Sequence, residues 1–106
     1  MITLHVFYFG EDNKARLFAE EMENSGLANE IRNEEGNLRY EYFYPRNEDN
    51  AVLLIDSWVN QEALDIHHEL PVMDKIAKLR EKYDLHMKVE KFVSIDIDGD
   101  SKFIRK

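Results

Sequence analysis

The run "ITLHVFYF" (2–9) is rich in β-branched and aromatic residues and reads as a strand. "GED" then turns the chain. From Asn13, "NKARLFAEEMENSG" places Ala15, Phe18, Ala19 and Met22 on one helical stripe, and Gly26 stops or kinks it. "LANEIRNEEG" repeats the helical period weakly through Leu27 and Ile31, until Gly36-Asn37. In "NLRYEYFY" (37–44) the period drops to two: Leu38, Tyr40, Tyr42 and Tyr44 share one face, Arg39, Glu41 and Phe43 the other. "PRNEDN" is a turn cluster, and "AVLLIDSWV" (51–59) is the most strand-like run, so 37–44 and 51–59 should pair as a hairpin.

Asn60 suits a helix N-cap, with Glu62 favourable in the first turn that follows. Pro71 breaks that helix. "VMDKIAKLREKY" then turns Met73, Ile76, Leu79 and Tyr83 to one side, and "LHMKVEKFVSIDI" (85–97) is a last strand. The tail from about residue 98 to 106, "DGDSKFIRK", reads as flexible or as reaching toward a partner. The order β-α-β-β-α-β predicts an α+β, ferredoxin-like fold: an antiparallel sheet with helices on one face. Strands this aromatic should not leave the other face to water. A second subunit, stacked sheet to sheet, is the simplest cover, so the expectation is a homodimer.

The chain has 106 residues, enough for one domain spanning 1–106 and hardly for two. Its 22 acidic and 14 basic residues give a net charge of -8. Such a surface repels phosphate backbones and anionic lipid, so neither nucleic acid nor membrane is an expected partner. No cysteine is present, which excludes disulfides, thiolate nucleophiles and cysteine-ligated metals. The apolar start "MITLHVFYF" has no basic leader or cleavage site and reads as a strand. No apolar run approaches ~18 residues, and a cytoplasmic location is expected.

Candidate chemistry gathers in "LLIDSWVNQEALDIHHELP" (53–71). Asp56 and Trp58 are two apart on a strand and so share a face. His67 follows Ala63 by four and Leu64 by three, on the apolar stripe of its helix; His68 is rotated by about 100° toward the rim. A histidine so placed can be a hydrogen-bonded packing residue, and Asp56 can reach solvent at a strand end. Alternatively the acid, the indole and His67 border one cavity, with Tyr40 and Tyr42 of the neighbouring strand. The two histidines diverge too far to make a metal pair. "DIDGD" (96–100) has its glycine at the wrong offset for a calcium loop, and no phosphate loop or dinucleotide fingerprint occurs.

These residues carry a resemblance. The aromatic first strand, "EEGNLRYEYF" and "VLLIDSWVNQEALDIHHELP" together resemble the antibiotic biosynthesis monooxygenase family over nearly the whole chain. The resemblance implies a dimeric α/β barrel of face-to-face sheets. It also implies quinol monooxygenase-like oxidation of a small quinol or polyphenol by O2, with no cofactor and no metal. Catalytic roles would fall to His67 as base, Asp56 orienting it or binding a substrate hydroxyl, and Trp58 as a wall. Tyr40, Tyr42 and His68 would bind substrate. The family often has a second histidine after the proline, where Val72 stands here. A haem-degrading branch needs a histidine on the following helix, and residues 69–85 contain none.

Two other readings fit the residues. A related branch of the fold moves protons on a small phosphorylated diketone, which implies an isomerase; Arg39 or Lys88 would then have to reach the pocket. A non-catalytic dimer that binds a small ligand is the third.

Overall fold

The computed structural model describes residues 1–105. Lys106, the last residue of the expected tail, lies outside the described residues. Four strands, β1 (Ile2–Phe9), β2 (Asn37–Phe43), β3 (Ala51–Trp58) and β4 (His86–Val93), form one antiparallel sheet in the order β2-β3-β1-β4. Helices α1 (Lys14–Asn24), α2 (Leu27–Arg32), α3 (Gln61–His68) and α4 (Val72–Lys82) connect them. This is the ferredoxin-like arrangement, with 37–44 and 51–59 paired as the expected hairpin.

Strand periodicity sorts the sheet into two unlike faces. Val6, Tyr8, Tyr40, Val52, Leu54 and Trp58 point toward the helices and are buried with Phe18, Met22, Ile31, Leu64 and Ile76. The opposite face carries His5, Phe7, Phe43, Leu53 and Ile55, which are only half-buried, and Phe9 and Phe92, which are exposed. Phe92 packs on His5 at 4.7 Å between ring centroids. Apolar residues also crowd the chain from the end of β4 onward: Val93, Ile95, Ile97, Phe103 and Ile104 are all exposed.

Three local details differ from the sequence expectation. The β2–β3 register slips between Asn37 and Arg39, a bulge that turns Leu38 out to 56% exposure instead of onto the Tyr40–Tyr42 face. Tyr44 lies past the end of β2 and is exposed. β4 stops at Val93, four residues short of the expected end, and residues Asp98–Phe103 wind into a 3₁₀ turn. β4 is the sheet's edge and pairs with β1 alone. At that end Val93 meets Ile2, and the Ser94 amide still donates to the Met1 carbonyl at 3.2 Å.

α3 begins as the sequence suggests. Asn60 is extended, and its side-chain oxygen accepts from the Ala63 amide at 2.9 Å. Pro71 ends the run and heads α4, where its missing N–H costs nothing. Gly36 closes the loop from α2 into β2 with φ +86°, and its carbonyl accepts from the Val59 amide at 2.8 Å. A Cβ there would meet the Ala63 Cβ at 2.6 Å and Val59 Cγ1 at 3.0 Å. Gly26 has the same φ of +86° with open space around it. Gly26→Ala should therefore cost about 1–2 kcal/mol from backbone strain alone, whereas Gly36→Ala adds overlap with α3 and should cost about 2–5 kcal/mol. Urea denaturation of the two variants checks the order.

Candidate functional site

The loop that Gly36 closes also presents an acid. Glu34 follows α2, its amide donates to Ile31 O at 3.0 Å, and its carbonyl accepts from the Asn37 amide at 3.2 Å. So clamped, its carboxylate reaches the inner face of α3. There the His67 Nδ1 lies 2.8 Å and 2.9 Å from the two Glu34 oxygens. His67 is 3% exposed and lies over Trp58, with ring centroids 4.7 Å apart and planes tilted by 30°. The imidazole is thus held from behind by an indole and from one edge by a carboxylate.

Burial pushes the His67 pKa below its ordinary 6.5, so the ring is neutral at neutral pH. Burial also raises Glu34, to about 7, with the charge of Glu30 adding to the push. Between Nδ1 and the carboxylate there is room for one proton. With Glu34 ionised, Nδ1–H donates to it and Nε2 keeps a free lone pair. Nε2 has no protein hydrogen-bond partner among the described residues.

A cavity of about 360 Å³ lies between the sheet and helices α3 and α4, and His67 borders it. Asp56 and Tyr40 stand on its sheet wall, and His68 at its edge is exposed. Leu4, Val6, Leu54, Leu64 and Ile76 supply an apolar lining. Arg80, Met87, Val89 and Lys91, from α4 and the edge strand, form the far wall. Wider depressions, of about 590 Å³ beside α3 and about 500 Å³ between α1 and β2, touch neither His67 nor Asp56. Size alone therefore does not single out the candidate site; the grouped titratable residues do.

Asp56 is 5% exposed. Asn37, swung inward at the bulge, donates to its Oδ1 at 3.4 Å. Burial raises the Asp56 pKa to about 7, and the nearby indole and the Asn37 amide only partly offset that rise. The Trp58 N–H has no hydrogen-bond partner of ordinary geometry, so its effect on Asp56 is that of a nearby dipole. Trp58 is fully buried behind His67 and does not line the cavity. Tyr42 is likewise set back: its hydroxyl lies 3.0 Å from that of Tyr40, which does line it. Burial pushes both phenols well above 10, so both stay protonated.

The structure thus brings His67, Asp56, Tyr40 and His68 to one cavity, with Trp58 and Tyr42 as backing. Arg39 and Lys88 project from the opposite sheet face, paired in register with Ser57 and Phe7, and cannot serve the cavity. The cations that do line it are Arg80 and Lys91. Spacing held a sign of Arg80: it follows Ile76 by four, on the inward stripe of α4. Glu34 carried no such sign, because a loop has no period. Among the described residues no group of three or more His, Cys, Asp or Glu is placed to hold a metal ion.

A family model described as antibiotic biosynthesis monooxygenase matches residues 1–79. A search of curated proteins finds no match. Solved structures are similar throughout. A candidate antibiotic biosynthesis monooxygenase from Deinococcus radiodurans is 18% identical over 91% of this chain and 94% of its own, with a TM-score of 0.79. A Bacteroides thetaiotaomicron protein of unknown function is 23% identical over 86% and 94%, with a TM-score of 0.75. SnoaB, a cofactor-independent oxygenase from Streptomyces nogalater, is 15% identical over 90% and 93%, with a TM-score of 0.73. At these identities the likeness is one of fold.

The Asp56 shift has a consequence for stability. An acid whose folded pKa is raised binds its proton more tightly folded than unfolded, so stability falls as pH rises from about 4 to about 7. Asp56→Asn removes that penalty. The variant should match the wild type near pH 4 and exceed it above pH 7 by on the order of 1–3 kcal/mol. Urea melts at pH 4.5 and 8 check this.

Proposed function

The chain belongs to the antibiotic biosynthesis monooxygenase family, and from that premise we propose that it oxidises a small quinol or polyphenol with O2, without flavin, haem or metal. The observation that carries the reading is the neutral His67, held at Nδ1 by Glu34 with Nε2 free beside the cavity. Nε2 takes the proton of a phenolic hydroxyl, and Glu34 stabilises the imidazolium that results. The phenolate passes one electron to O2. The radical and superoxide combine at ring carbon to a peroxide anion, which takes back the proton from the His67 imidazolium; the hydroperoxide loses water, so one oxygen atom stays on the ring and the other leaves as water. Asp56 in its protonated form donates to a substrate oxygen, and the apolar lining keeps bulk water from the radicals. That SnoaB is named a cofactor-independent oxygenase supports the absence of a cofactor here.

His67→Ala should lower oxygen uptake with hydroquinones by 10²-fold or more. Equal uptake by variant and wild type would falsify the role of His67. Glu34 must be ionised for Nε2 to accept and Asp56 protonated to donate, and both carboxyls are raised to about 7, so kcat/KM should follow a bell centred near pH 7. Glu34→Gln should flatten its acidic limb and leave the alkaline one; an unchanged profile sinks the pairing as the source of basicity.

The active form is a homodimer with sheets packed face to face, and residues 1–106 act as one unit. The half-buried aromatic face and the exposed apolar residues after β4 support this, since contiguous apolar surface of that kind is a liability in a monomer. The segment from about residue 98 onward contacts the partner. Sedimentation at micromolar concentration should show a dimer, and Phe7→Glu should dissociate it; a folded monomeric wild type contradicts the assembly.

Arg80 and Lys91 in the cavity favour a second reading, proton transfer on a small anionic carbonyl compound. Turnover in the absence of oxygen separates the two.

A further inference from the structure

Arg80 lines the cavity from the last turn of α4. Its Nε is buried with no hydrogen-bond partner, and Nη1 donates only to the Met87 sulfur, at 3.1 Å. A thioether is a weak acceptor, and the described residues offer the guanidinium no other. No carboxylate among the described residues lies within ion-pair distance of it, although acids outnumber bases by 22 to 14. A cation in the last helical turn can serve the helix dipole. Lys82 is in that turn too, on the surface and paired with Glu21. Arg80 instead turns its side chain toward the sheet, where its charge acts on the hydroxyls of Tyr8 and Tyr40. Lys91 completes the far wall, its ammonium resting on the side-chain oxygen of Gln61 across the cavity mouth.

The cavity is therefore polarised. One wall carries His67 and Asp56, both proton-handling groups; the other carries two cations without an acidic partner. An unpaired guanidinium over apolar lining is a site waiting for an anion, and its Nη2, which has no protein partner among the described residues and is not sealed from solvent, is open to a carboxylate oxygen. We propose that the ligand is an aromatic acid, with its carboxylate bound by Arg80, assisted by Lys91, and its hydroxylated ring edge facing His67 and Asp56. A volume of about 360 Å³ suits a compound of one or two rings. The ring chemistry rests on the oxygenase reading above, whereas the anion site rests on Arg80 alone. The family model ends at residue 79, so the cationic wall comes from the part of the chain it does not match.

The test is anaerobic calorimetric titration with 2,5-dihydroxybenzoate, with its methyl ester and with inorganic phosphate. The wild type should bind the acid at least tenfold tighter than the ester. Arg80→Gln should erase that preference and leave the affinity for the ester unchanged, and Arg80→Lys should keep part of it. Equal binding of acid and ester by the wild type, or binding of neither, overturns the proposal. So does an acid preference that survives in Arg80→Gln. Phosphate that displaces the acid at equal concentration replaces the carboxylate with a phosphoryl group and also overturns it. If Arg80→Gln does not fold, the wild-type comparison and Arg80→Lys still decide. Because the titration needs no turnover, an acid preference without oxygen uptake sinks the oxygenase reading and keeps this one.

Discussion

The bond between the Glu34 carboxylate and His67 Nδ1 organises this molecule around its cavity. It ties a loop after α2 to the inner face of α3, across elements 33 residues apart in sequence. A buried polar pair of this kind stabilises only if both members are satisfied, because losing either partner strands the other away from water. Three separate features serve that requirement. Gly36 lets the loop turn tightly against Ala63. Asn60 starts α3 where His67 will fall on its inward stripe. Trp58 closes the space behind the imidazole, so the ring has no other position to take.

That arrangement also explains why the acids of the site are raised and its histidine lowered. All of them lose water, and none has a cation beside it. The cations of the cavity are on the far wall. Had Arg80 stood beside Asp56 or Glu34, it would have held that carboxylate ionised and spent its own charge doing so. Separation keeps both walls reactive: one toward protons, one toward an anion.

Much of this was legible from residue order alone. The helical stripe of Ala15, Phe18, Ala19 and Met22, the Asn60 cap and the Pro71 break depend on local periodicity and backbone chemistry, which neighbouring residues determine. So does the common face of Asp56 and Trp58, because pleat alternation is local. The bulge at Leu38 was not legible: nothing within the strand requires a register shift between Asn37 and Arg39. The end of β4 at Val93 was not legible either, because the strand-like run continues past it to Ile97. The pairing of Glu34 with His67 is a contact between distant segments, one of them aperiodic. The depth of Trp58 behind the imidazole belongs to the same class, because sharing a face does not settle which side chain lies nearer the hollow.

The two walls of the cavity come from different stretches of the chain. The wall bearing Asp56 and His67, with Glu34 behind it, falls within residues 1–79, which match the family model, while Arg80 and the edge-strand residues follow it. Recognition and chemistry can vary independently when their residues are separable in this way. β4 is an edge strand whose Met87 and Val89 remain exposed although they face the helix side of the sheet. Neither belongs to the buried core, so substitutions there disturb little of it. His67, by contrast, is locked among Trp58, Glu34 and α3, where a change of any one partner is felt by the others. The physical cost of altering a side chain is therefore lower on the wall of Met87 and Val89 than on the wall of His67 and Asp56.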